Sequence, residues 1–291
     1  MIDRLCLVGV GLIGGSIARA ARTNNLCREI IAVDSDSSNL ANANNSGVVD
    51  HCYADLCEAV SVSDFVVFCI PVGAIFGVLE EAKNFWSSSA VYTDVGSTKV
   101  NVVNSLRSVF DGVPDNFIPG HPIAGGEKCG YLAANADLFS GKRVILTPLQ
   151  NSRQDAVERV TQFWRGIGAD VTSMDAQHHD EVLAATSHLP HLIAYALVNM
   201  LGLKDEKDEI FKYAAGGFKD FTRIASSDPK MWRDICRANN SPIQRLVVQL
   251  KSELDDVSKM LESNDFEQLL EMFQSAKDAR QRFLDQYEGV E

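Results

Sequence analysis

A glycine-rich turn near the start of the chain has the residue types and the spacing to bind a pyrophosphate. It follows an apolar run at residues 5–8, precedes a helical stretch at 16–22, and carries Gly9, Gly11 and Gly14. A strand that turns through glycines into a helix gathers free backbone N–H groups at a helix N-terminus, where phosphates bind. Gly9 allows the tight turn, Gly11 leaves room for the phosphates, and Gly14 lets helix and strand pack closely. The turn is therefore expected to hold a dinucleotide through Gly9, Gly11, Leu12, Ile13 and Gly14.

An acidic residue stands at the position that contacts the adenosine ribose in such sites. The next apolar run ends in Asp34, twenty residues after Gly14. A carboxylate at this spacing accepts hydrogen bonds from the ribose and repels a 2′-phosphate. The pattern predicts NAD as the cofactor in preference to NADP. The alternative interpretation is a buried strand–helix turn that binds no ligand.

His121 is the side chain best suited to act as a general base. Taking a hydride from a carbinol requires a base for the hydroxyl proton, and an imidazole with a pKa near neutrality can serve. A histidine before a proline is often a turn residue, but His121 follows a predicted strand at the carboxyl edge of the sheet.

Ser97 and Pro71 follow two other predicted strands. Ser97 can orient a hydroxyl or cap the next helix, and Pro71 can line the cofactor crevice. Lys99 can contact a phosphate or a carboxylate, or be a solvated helix lysine.

The second half of the chain supplies two histidines and an arginine. His188 and His191 are three residues apart and share one helix face, but no third ligand accompanies them, so no metal site is expected. Arg223 presents the planar fork that carboxylates match, and its glycine and apolar neighbours distinguish it from an ordinary surface arginine. We therefore predict that Arg223 is a carboxylate clamp.

Short apolar runs alternate with helical stretches over residues 1–172. Continuous apolar strands with helices between them are typical of a parallel sheet that is covered on both faces. The predicted fold is an α/β Rossmann-type, doubly wound, mostly parallel sheet, with ligands beyond the carboxyl ends of its strands. Two predicted helices are Ala74–Phe85 and Asp155–Gly166, and the predicted strands are Leu5–Val8, Glu29–Val33, Phe65–Ile70, Val91–Asp94, Phe117–Pro119, Val144–Thr147 and Asp170–Thr172.

Only helices are predicted after about residue 174. We expect an NAD-binding domain at 1–173 and an all-α C-terminal domain at 174–291 that binds substrate and dimerises. Ser241 and Pro242 are typical of an N-cap and a first helical residue, and Asn264 with Glu267 resembles a capping box. An apolar stripe this long in a small helical domain predicts a homodimer. The stripe recurs at spacings of three and four and consists of Ile243, Val247, Leu250, Leu254, Val257 and Leu261.

Composition and charge limit the class of protein. A chain of 291 residues with 46% hydrophobic and 23% charged residues is typical of a globular protein, and a net charge of −12 argues against nucleic acid and anionic membranes as partners. No apolar run approaches the roughly 20 residues that span a bilayer, and no leader precedes the first predicted strand. The seven cysteines lack the spacing of a zinc site or a disulfide framework. We expect a cytoplasmic protein that acts on a small molecule.

Several sequence blocks resemble those of the prephenate/arogenate dehydrogenases of tyrosine biosynthesis, over essentially the whole chain. The blocks are GVGLIGGS, DVGSTK, GHPIAGGEKCG, ADLFSGKRVILTP, SHLPH and GGFKDFTRIASSDPKMWRDI. The pairing of GHPIAG with TRIASSDPKMW is specific to that family and would not arise in a generic Rossmann protein. The resemblance implies NAD-dependent oxidative decarboxylation of prephenate to 4-hydroxyphenylpyruvate, without a metal or a covalent cofactor.

The resemblance also implies roles for individual side chains. His121 would be the base that contacts the ring hydroxyl, Ser97 would help to orient that hydroxyl and the histidine, and Arg223 would bind a substrate carboxylate. The other pocket residues that it implies are His191 near Arg223, Glu127, Lys219 and Asp220 at the pocket mouth, and Trp232 at its border. Many relatives have a hydroxyl-bearing residue where this chain has Gly126 and Cys129, so a hydrogen bond from either position is not carried over.

Three other interpretations are compatible with the sequence. Arogenate could be the substrate, alone or together with prephenate, because Glu127 or Asp220 could pair with its ammonium group. The chain could be a non-catalytic NAD-sensing protein, although the presence of His121, Ser97 and Arg223 argues against it. A two-domain 3-hydroxyacid dehydrogenase would share the plan, but such enzymes rely on a lysine base and give the GHPIAG block no role.

Overall fold

The computed structural model describes residues 2–126 and 128–288. Its first sheet contains six strands: β1 (Ile2–Val8), β2 (Cys27–Val33), β3 (His51–Tyr53), β4 (Phe65–Phe68), β5 (Val91–Asp94) and β6 (Phe117–Ile118). Their order is β3-β2-β1-β4-β5-β6, and each neighbouring pair is parallel. The chain builds outward from β1 in both directions, so the predicted Rossmann-type, doubly wound sheet is confirmed.

Both faces of this sheet are buried. Leu5 and Leu7 of β1 pack into one core, whereas Cys6 and Val8 pack into the other, because successive side chains of a strand point to opposite faces. A strand that is buried on both faces needs apolar residues at every position, which explains the continuous apolar runs in the sequence. The covering helices are α1 (Leu12–Thr23), α2 (Ser37–Asn45), α3 (Leu56–Ser61), α4 (Ile75–Ala82), α5 (Val100–Phe110) and α6 (Gln154–Gly166).

A second sheet of three strands carries the predicted base. It consists of β7 (Gly120–Pro122), β8 (Arg143–Leu146) and β9 (Asp170–Ser173), with β7 antiparallel and β9 parallel to β8. The sequence placed His121 in a loop after a strand, but the structure places it inside β7, opposite Ile145. Pro119 has no N–H to donate, so β6 ends before it and the chain pairs next with β8.

Residues 174–288, which are all described, form helices without any strand. The all-α prediction for this part of the chain is therefore confirmed. A π-helical turn at Ala184–His188 joins the first two of these helices. None of the helices within the described residues is long and apolar enough to cross a membrane. The helices are α7 (Ala176–Leu183), α8 (Leu189–Gly202), α9 (Lys207–Lys212), α10 (Gly216–Thr222), α11 (Pro229–Ala238), α12 (Asn240–Ser263) and α13 (Phe266–Glu288).

Two predicted helix starts are wrong, one by two residues and one by a single residue. Helix α12 begins at Asn240 rather than after a Ser241 cap. The cap of α13 is Asp265, whose Oδ1 accepts the Gln268 N–H at 3.0 Å, and not Asn264. Asn264 instead has a φ of +56°, a left-handed conformation that asparagine tolerates and that ends α12.

The chain divides into two compact units. The first ends at Pro242, and the second begins at Ile243. The second unit consists of most of α12 together with α13. Several of its large apolar side chains are exposed, which is costly in a protein that stays monomeric. They are Val247, Val248, Leu254, Leu261, Phe266, Leu270, Phe273 and Phe283.

Candidate active site

The glycine turn between β1 and α1 has a backbone that only glycine can provide. Gly9 has a φ of +94°, and a Cβ on it would lie 2.4 Å from the carbonyl oxygen of Cys69 after β4. A Cβ on Gly14 would lie 2.0 Å from the carbonyl oxygen of Gly9. A Cβ on Gly11 would have no atom within 4 Å, so there is open space at the N-terminus of α1. Such space beside free helical N–H groups suits a phosphate.

Asp34 lies at the carboxyl end of β2, beside this turn. Its Oδ2 accepts the Val10 N–H at 2.7 Å, and its Oδ1 accepts the Asp36 N–H at 2.8 Å. The half-buried carboxylate is thus held in one orientation and keeps lone pairs for further donors. The other predicted cofactor residues are Leu12 and Ile13 in the first turn of α1 and Pro71 in the loop after β4.

His121 is held by a second histidine. Its Nδ1 lies 2.9 Å from Nε2 of His179 on α7, and Nδ1 of His179 lies 2.8 Å from Oδ1 of Asp180. His121 is half-buried, whereas His179 and Asp180 are buried. A line of hydrogen-bonding groups therefore leads from the predicted base into the protein.

The carboxylate of Asp180 is in turn fixed by the start of α5. The Lys99 N–H donates to its Oδ1 at 2.7 Å, and the Val100 N–H donates to its Oδ2 at 2.9 Å. Free N–H groups at a helix N-terminus need acceptors and favour negative charge. Asp180 therefore accepts hydrogen bonds from the free N–H groups at the start of α5, and it orients the histidine beside it on α7.

Lys99 is not a solvated helix lysine, because its side chain contacts the carboxylate of a buried aspartate. Its side chain is fully buried, and Nζ donates to Asp94 Oδ2 at 2.5 Å and to the carbonyl oxygen of Gly120 at 2.6 Å. The Gly120 N–H donates to Asp94 Oδ1 at 3.1 Å, which closes a ring of hydrogen bonds. A buried ammonium group requires such partners, because losing water without them is too costly. The ring fixes the backbone directly before His121.

Burial controls the protonation of these side chains. It lowers the pKa of His121 well below the ordinary value of 6.5, and the neighbouring His179, Lys99 and His188 lower that pKa further. The expectation of a pKa near neutrality was wrong, because the sequence does not reveal this burial. Burial also lowers the pKa of His179, against the opposing effect of Asp180. Both imidazoles are therefore neutral at pH 7.

A third buried histidine, His188, is fixed by Asn239. The side-chain Nδ2 of Asn239 donates to the backbone oxygen of Asp180 at 2.7 Å and lies 3.1 Å from Nδ1 of His188. Because an amide nitrogen donates, Nδ1 of His188 accepts, and its ring proton resides on Nε2. This Nε2 and Nε1 of Trp232 are buried N–H donors without a hydrogen-bond partner in the described part of the chain. Burial lowers the pKa of His188 to about 4.

Three of the predicted substrate residues lie near one another: His191, Trp232 and Arg223. The ring of His191 stacks on Trp232 with 3.7 Å between centroids, and His188 meets the same indole edge-on at 6.0 Å. Nδ1 of His191 lies 2.8 Å from the backbone oxygen of Ser187, so its Nε2 is free to accept a hydrogen bond. Burial and the charge of nearby Arg223 lower the pKa of His191.

The remaining predicted residues are less closely connected. Lys219 and Asp220 are exposed on α10, and Ser97 is half-buried after β5. Among the residues that the structure describes, no hydrogen bond joins any of these three to His121. The hydrogen-bond partner of His121 among the described residues is His179. Glu127 lies outside the described residues.

His179, Asp180 and Asn239 were not predicted as site residues from the sequence. The run His178-His179-Asp180 offered a signal, since a histidine beside a carboxylate is a possible proton-handling pair. Only the packing of α7 shows that His179 is buried against His121 while His178 is exposed. No group of three or more His, Cys, Asp or Glu within residues 2–126 and 128–288 is arranged to hold a metal ion.

Three proteins are similar to this chain over nearly its whole length. The cyclohexadienyl dehydrogenase of Zymomonas mobilis is 36% identical over 287 residues, which is 96% of each chain. The prephenate dehydrogenase of Bacillus subtilis is 37% identical over 282 residues, 96% of this chain and 76% of that one. The crystal structure of prephenate dehydrogenase from Aquifex aeolicus with hydroxyphenyl propionate and NAD⁺ has a TM-score of 0.90 and 32% identity, and the match covers 97% of this chain and 99% of that one.

Two family models match successive parts of the chain. The nucleotide-binding domain of prephenate dehydrogenase matches residues 17–173, and the dimerization domain of prephenate dehydrogenase matches residues 175–275. The first match covers the sheet from β2 onward, and the second covers the helices with their histidine cluster. The chain belongs to the prephenate dehydrogenase family.

Proposed function

We propose that this protein oxidises and decarboxylates prephenate to 4-hydroxyphenylpyruvate with NAD, as an enzyme of tyrosine biosynthesis. The observation that carries the proposal is the half-buried His121, whose Nδ1 is bonded to His179 while its Nε2 is left for a substrate hydroxyl. Membership of the prephenate dehydrogenase family supports it, as does the NAD⁺ named in the Aquifex aeolicus structure.

The residues at the carboxyl edge of the first sheet fit NAD. The open space over Gly11 can receive a pyrophosphate at the N-terminus of α1, and the unused lone pairs of Asp34 can accept ribose hydroxyls. When bound, NAD supplies the acceptor for the hydride. Asp94 at the end of β5 anchors Gly120, which places His121 at the same edge of the sheet.

His121 handles the proton of the ring hydroxyl. Its Nε2 takes this proton as the hydride leaves the ring carbon that bears the hydroxyl. This step requires the neutral imidazole that burial maintains at pH 7. The ring carboxylate then departs as carbon dioxide, and the electron pair of the broken C–C bond completes the aromatic ring. The proton returns from His121 to the phenolate oxygen, so that hydride, proton and electrons balance.

The cluster around Trp232 binds the anionic substrate. Arg223 pairs with a carboxylate, while the unpartnered N–H groups of Trp232 and His188 can donate to its oxygens. His191 lies within this cluster, and Ser97 contacts the ring hydroxyl. A local group of donors is needed because the net charge of −12 repels a dianion. The proposed pocket mouth is formed by Glu127, Lys219 and Asp220.

Arogenate is the second candidate substrate. A relative named cyclohexadienyl dehydrogenase is 36% identical over 96% of both chains, which favours acceptance of both substrates over a strict choice. The two substrates differ in a keto or an ammonium group on the side chain, and an ammonium group requires a carboxylate partner such as Asp220.

A steady-state comparison tests both the substrate and the cofactor. The ratio kcat/KM is measured for prephenate and arogenate, each with NAD and with NADP. We expect prephenate to be preferred, and we expect NAD to be favoured at least tenfold, which corresponds to roughly 1.4 kcal/mol, because the carboxylate of Asp34 repels a 2′-phosphate. A higher kcat/KM for arogenate would reassign the substrate, and activity with neither would refute the function. Equal or better activity with NADP would show that Asp34 does not select the cofactor through its ribose.

We further propose a cytoplasmic homodimer in which residues 1–173 bind NAD and residues 174–291 bind substrate and dimerise. The exposed apolar side chains of α12 and α13 supply a surface for a second copy, and the matching domain is named for dimerization. The family boundaries at 173 and 175 support the division. All seven cysteines are free thiols, which suits a reducing compartment.

A further inference from the structure

The buried His179–Asp180 pair lies behind the base of the proposed reaction and is not explained by substrate or cofactor binding. We propose that His179 and Asp180 are positioning residues that hold His121 in the tautomer with its proton on Nδ1 and its lone pair on Nε2. This inference rests on the proposed function, because it assigns the tautomer that the reaction requires of its base.

The tautomers follow from the acceptor at the end of the line. Both oxygens of Asp180 accept backbone N–H groups, from Lys99 at 2.7 Å and Val100 at 2.9 Å, so the side chain serves as an acceptor on both oxygens. Its 2.8 Å contact with His179 therefore requires a proton on Nδ1 of that ring. A neutral His179 then carries its lone pair on Nε2, where it accepts the Nδ1–H of His121 across 2.9 Å.

Burial favours this tautomer of His179 over the opposite one. His179 is 0% exposed and Asp180 is 2% exposed, so water does not supply alternative partners. The opposite tautomer of His179 would turn its bare Nδ1 lone pair toward the carboxylate, and two facing acceptors repel in a buried site. The charged and titratable groups around the line are Lys99, Asp94 and His188. They surround the pair without replacing either hydrogen bond.

The line also joins three elements of the first compact unit. His121 lies on β7, His179 and Asp180 lie on α7, and the two N–H donors lie at the start of α5. The imidazole of the base is thus tied to the helical half of the chain as well as to the sheet. A base held from both sides keeps its lone pair aimed in one direction, which is what positioning contributes to rate.

Two substitutions at His179 separate hydrogen bonding from packing. In His179→Gln the side-chain oxygen can still accept the Nδ1–H of His121, whereas His179→Phe fills the space without an acceptor. We expect His179→Phe to lower kcat on the order of 10²-fold, with KM for prephenate and the Kd of NAD within about twofold of wild type. His179→Gln should recover kcat to within about tenfold of wild type. The matched control is His178→Phe on the exposed side of α7, which should leave kcat unchanged.

Imidazole ¹⁵N NMR reads the tautomer without any turnover. In protein labelled at histidine, wild type should show His121 with a protonated Nδ1 and a bare Nε2, and His179→Phe should show a mixture. The His121 signals are identified by their loss in His121→Asn. A wild-type His121 with its proton on Nε2 would overturn the proposal, whatever the folding of the variants.

Kinetic outcomes distinguish this inference from the proposed function. A wild-type protein that turns over neither prephenate nor arogenate would refute the function, while the NMR result would still decide the tautomer. An active wild type, together with a folded His179→Phe that keeps kcat within twofold, would overturn the positioning role alone. A His179→Gln variant as slow as His179→Phe would show that an acceptor at this position is not sufficient.

Discussion

Replacing His188 with glutamine should make the stability of the protein less sensitive to pH between 7 and 5. Burial lowers the pKa of His188 from 6.5 to about 4 in the folded protein. In the unfolded chain the imidazole titrates near its ordinary pKa of roughly 6.5. Between these two values the unfolded chain binds the proton and the folded protein does not. Stability is therefore fully present above about pH 6.5 and falls as the pH drops below it.

The size of this effect follows from the two pKa values. With a pKa of about 4 folded and 6.5 unfolded, His188 costs about 2 kcal/mol of unfolding free energy between pH 7 and pH 5. The loss approaches about 3 kcal/mol only at lower pH, where the folded ring also takes up a proton. Glutamine binds no proton in this range, and its side-chain oxygen can still accept from Asn239. The variant should therefore lack the 2 kcal/mol term whatever its stability at pH 7.

The assay is urea unfolding followed by far-UV circular dichroism at pH 7, 6 and 5. One protein concentration is used throughout, because association stabilises the folded state by mass action. His121 and His179 also have lowered pKa values, but they are present in both proteins and cancel in the comparison. The matched control is His178→Gln on the exposed side of α7, which should follow wild type. An equal loss of unfolding free energy in wild type and His188→Gln would refute the reasoning.

Four further variants test other parts of the site and the assembly. His121→Asn should leave the Kd of NAD unchanged and lower kcat by roughly 10²-fold or more, and the wild-type kcat/KM should fall only well below pH 6.5; a near-normal kcat would refute His121 as the base. Arg223→Ala should raise KM for prephenate with a smaller loss in kcat, since a lost charged hydrogen bond costs about 2–5 kcal/mol; an unchanged KM would move the carboxylate site elsewhere. Lys99→Met should lower the unfolding free energy by about 3–5 kcal/mol in urea titrations, because the partner Asp94 stays buried, whereas the exposed Lys251→Met should not; equal losses would contradict the buried ion pair. Leu250→Glu combined with Leu254→Glu should yield poorly active monomers by light scattering, and a fully active wild-type monomer at micromolar concentration would exclude the dimer.

The amino-acid sequence alone determined the sheet and the cofactor turn, because both depend on local patterns. Continuous apolar residues at 5–8 of β1 and throughout β4 follow from burial on both faces, and this pattern is visible without tertiary contacts. Gly9 and Gly14 are required by backbone conformation and by close contact within a single strand–turn–helix unit. The short strands β3 and β7 escaped prediction because three residues carry too little pattern, and β7 depends on its partner β8.

Tertiary structure alone decided how the predicted base is held and protonated. His121 and His179 are 58 residues apart, and Lys99 and Asp180 are 81 residues apart, so no local pattern could pair them. Lys99 illustrates the same limit, since the sequence left open whether it is a solvated lysine or contacts a phosphate or carboxylate, and only packing shows it fully buried against Asp94. Burial and long-range hydrogen bonds set the pKa and the tautomer of an imidazole, and both arise only when distant segments pack together. The sequence could therefore propose a base, but the hydrogen bonds that hold its imidazole arise only from the packing of α7 and α5 against the sheet.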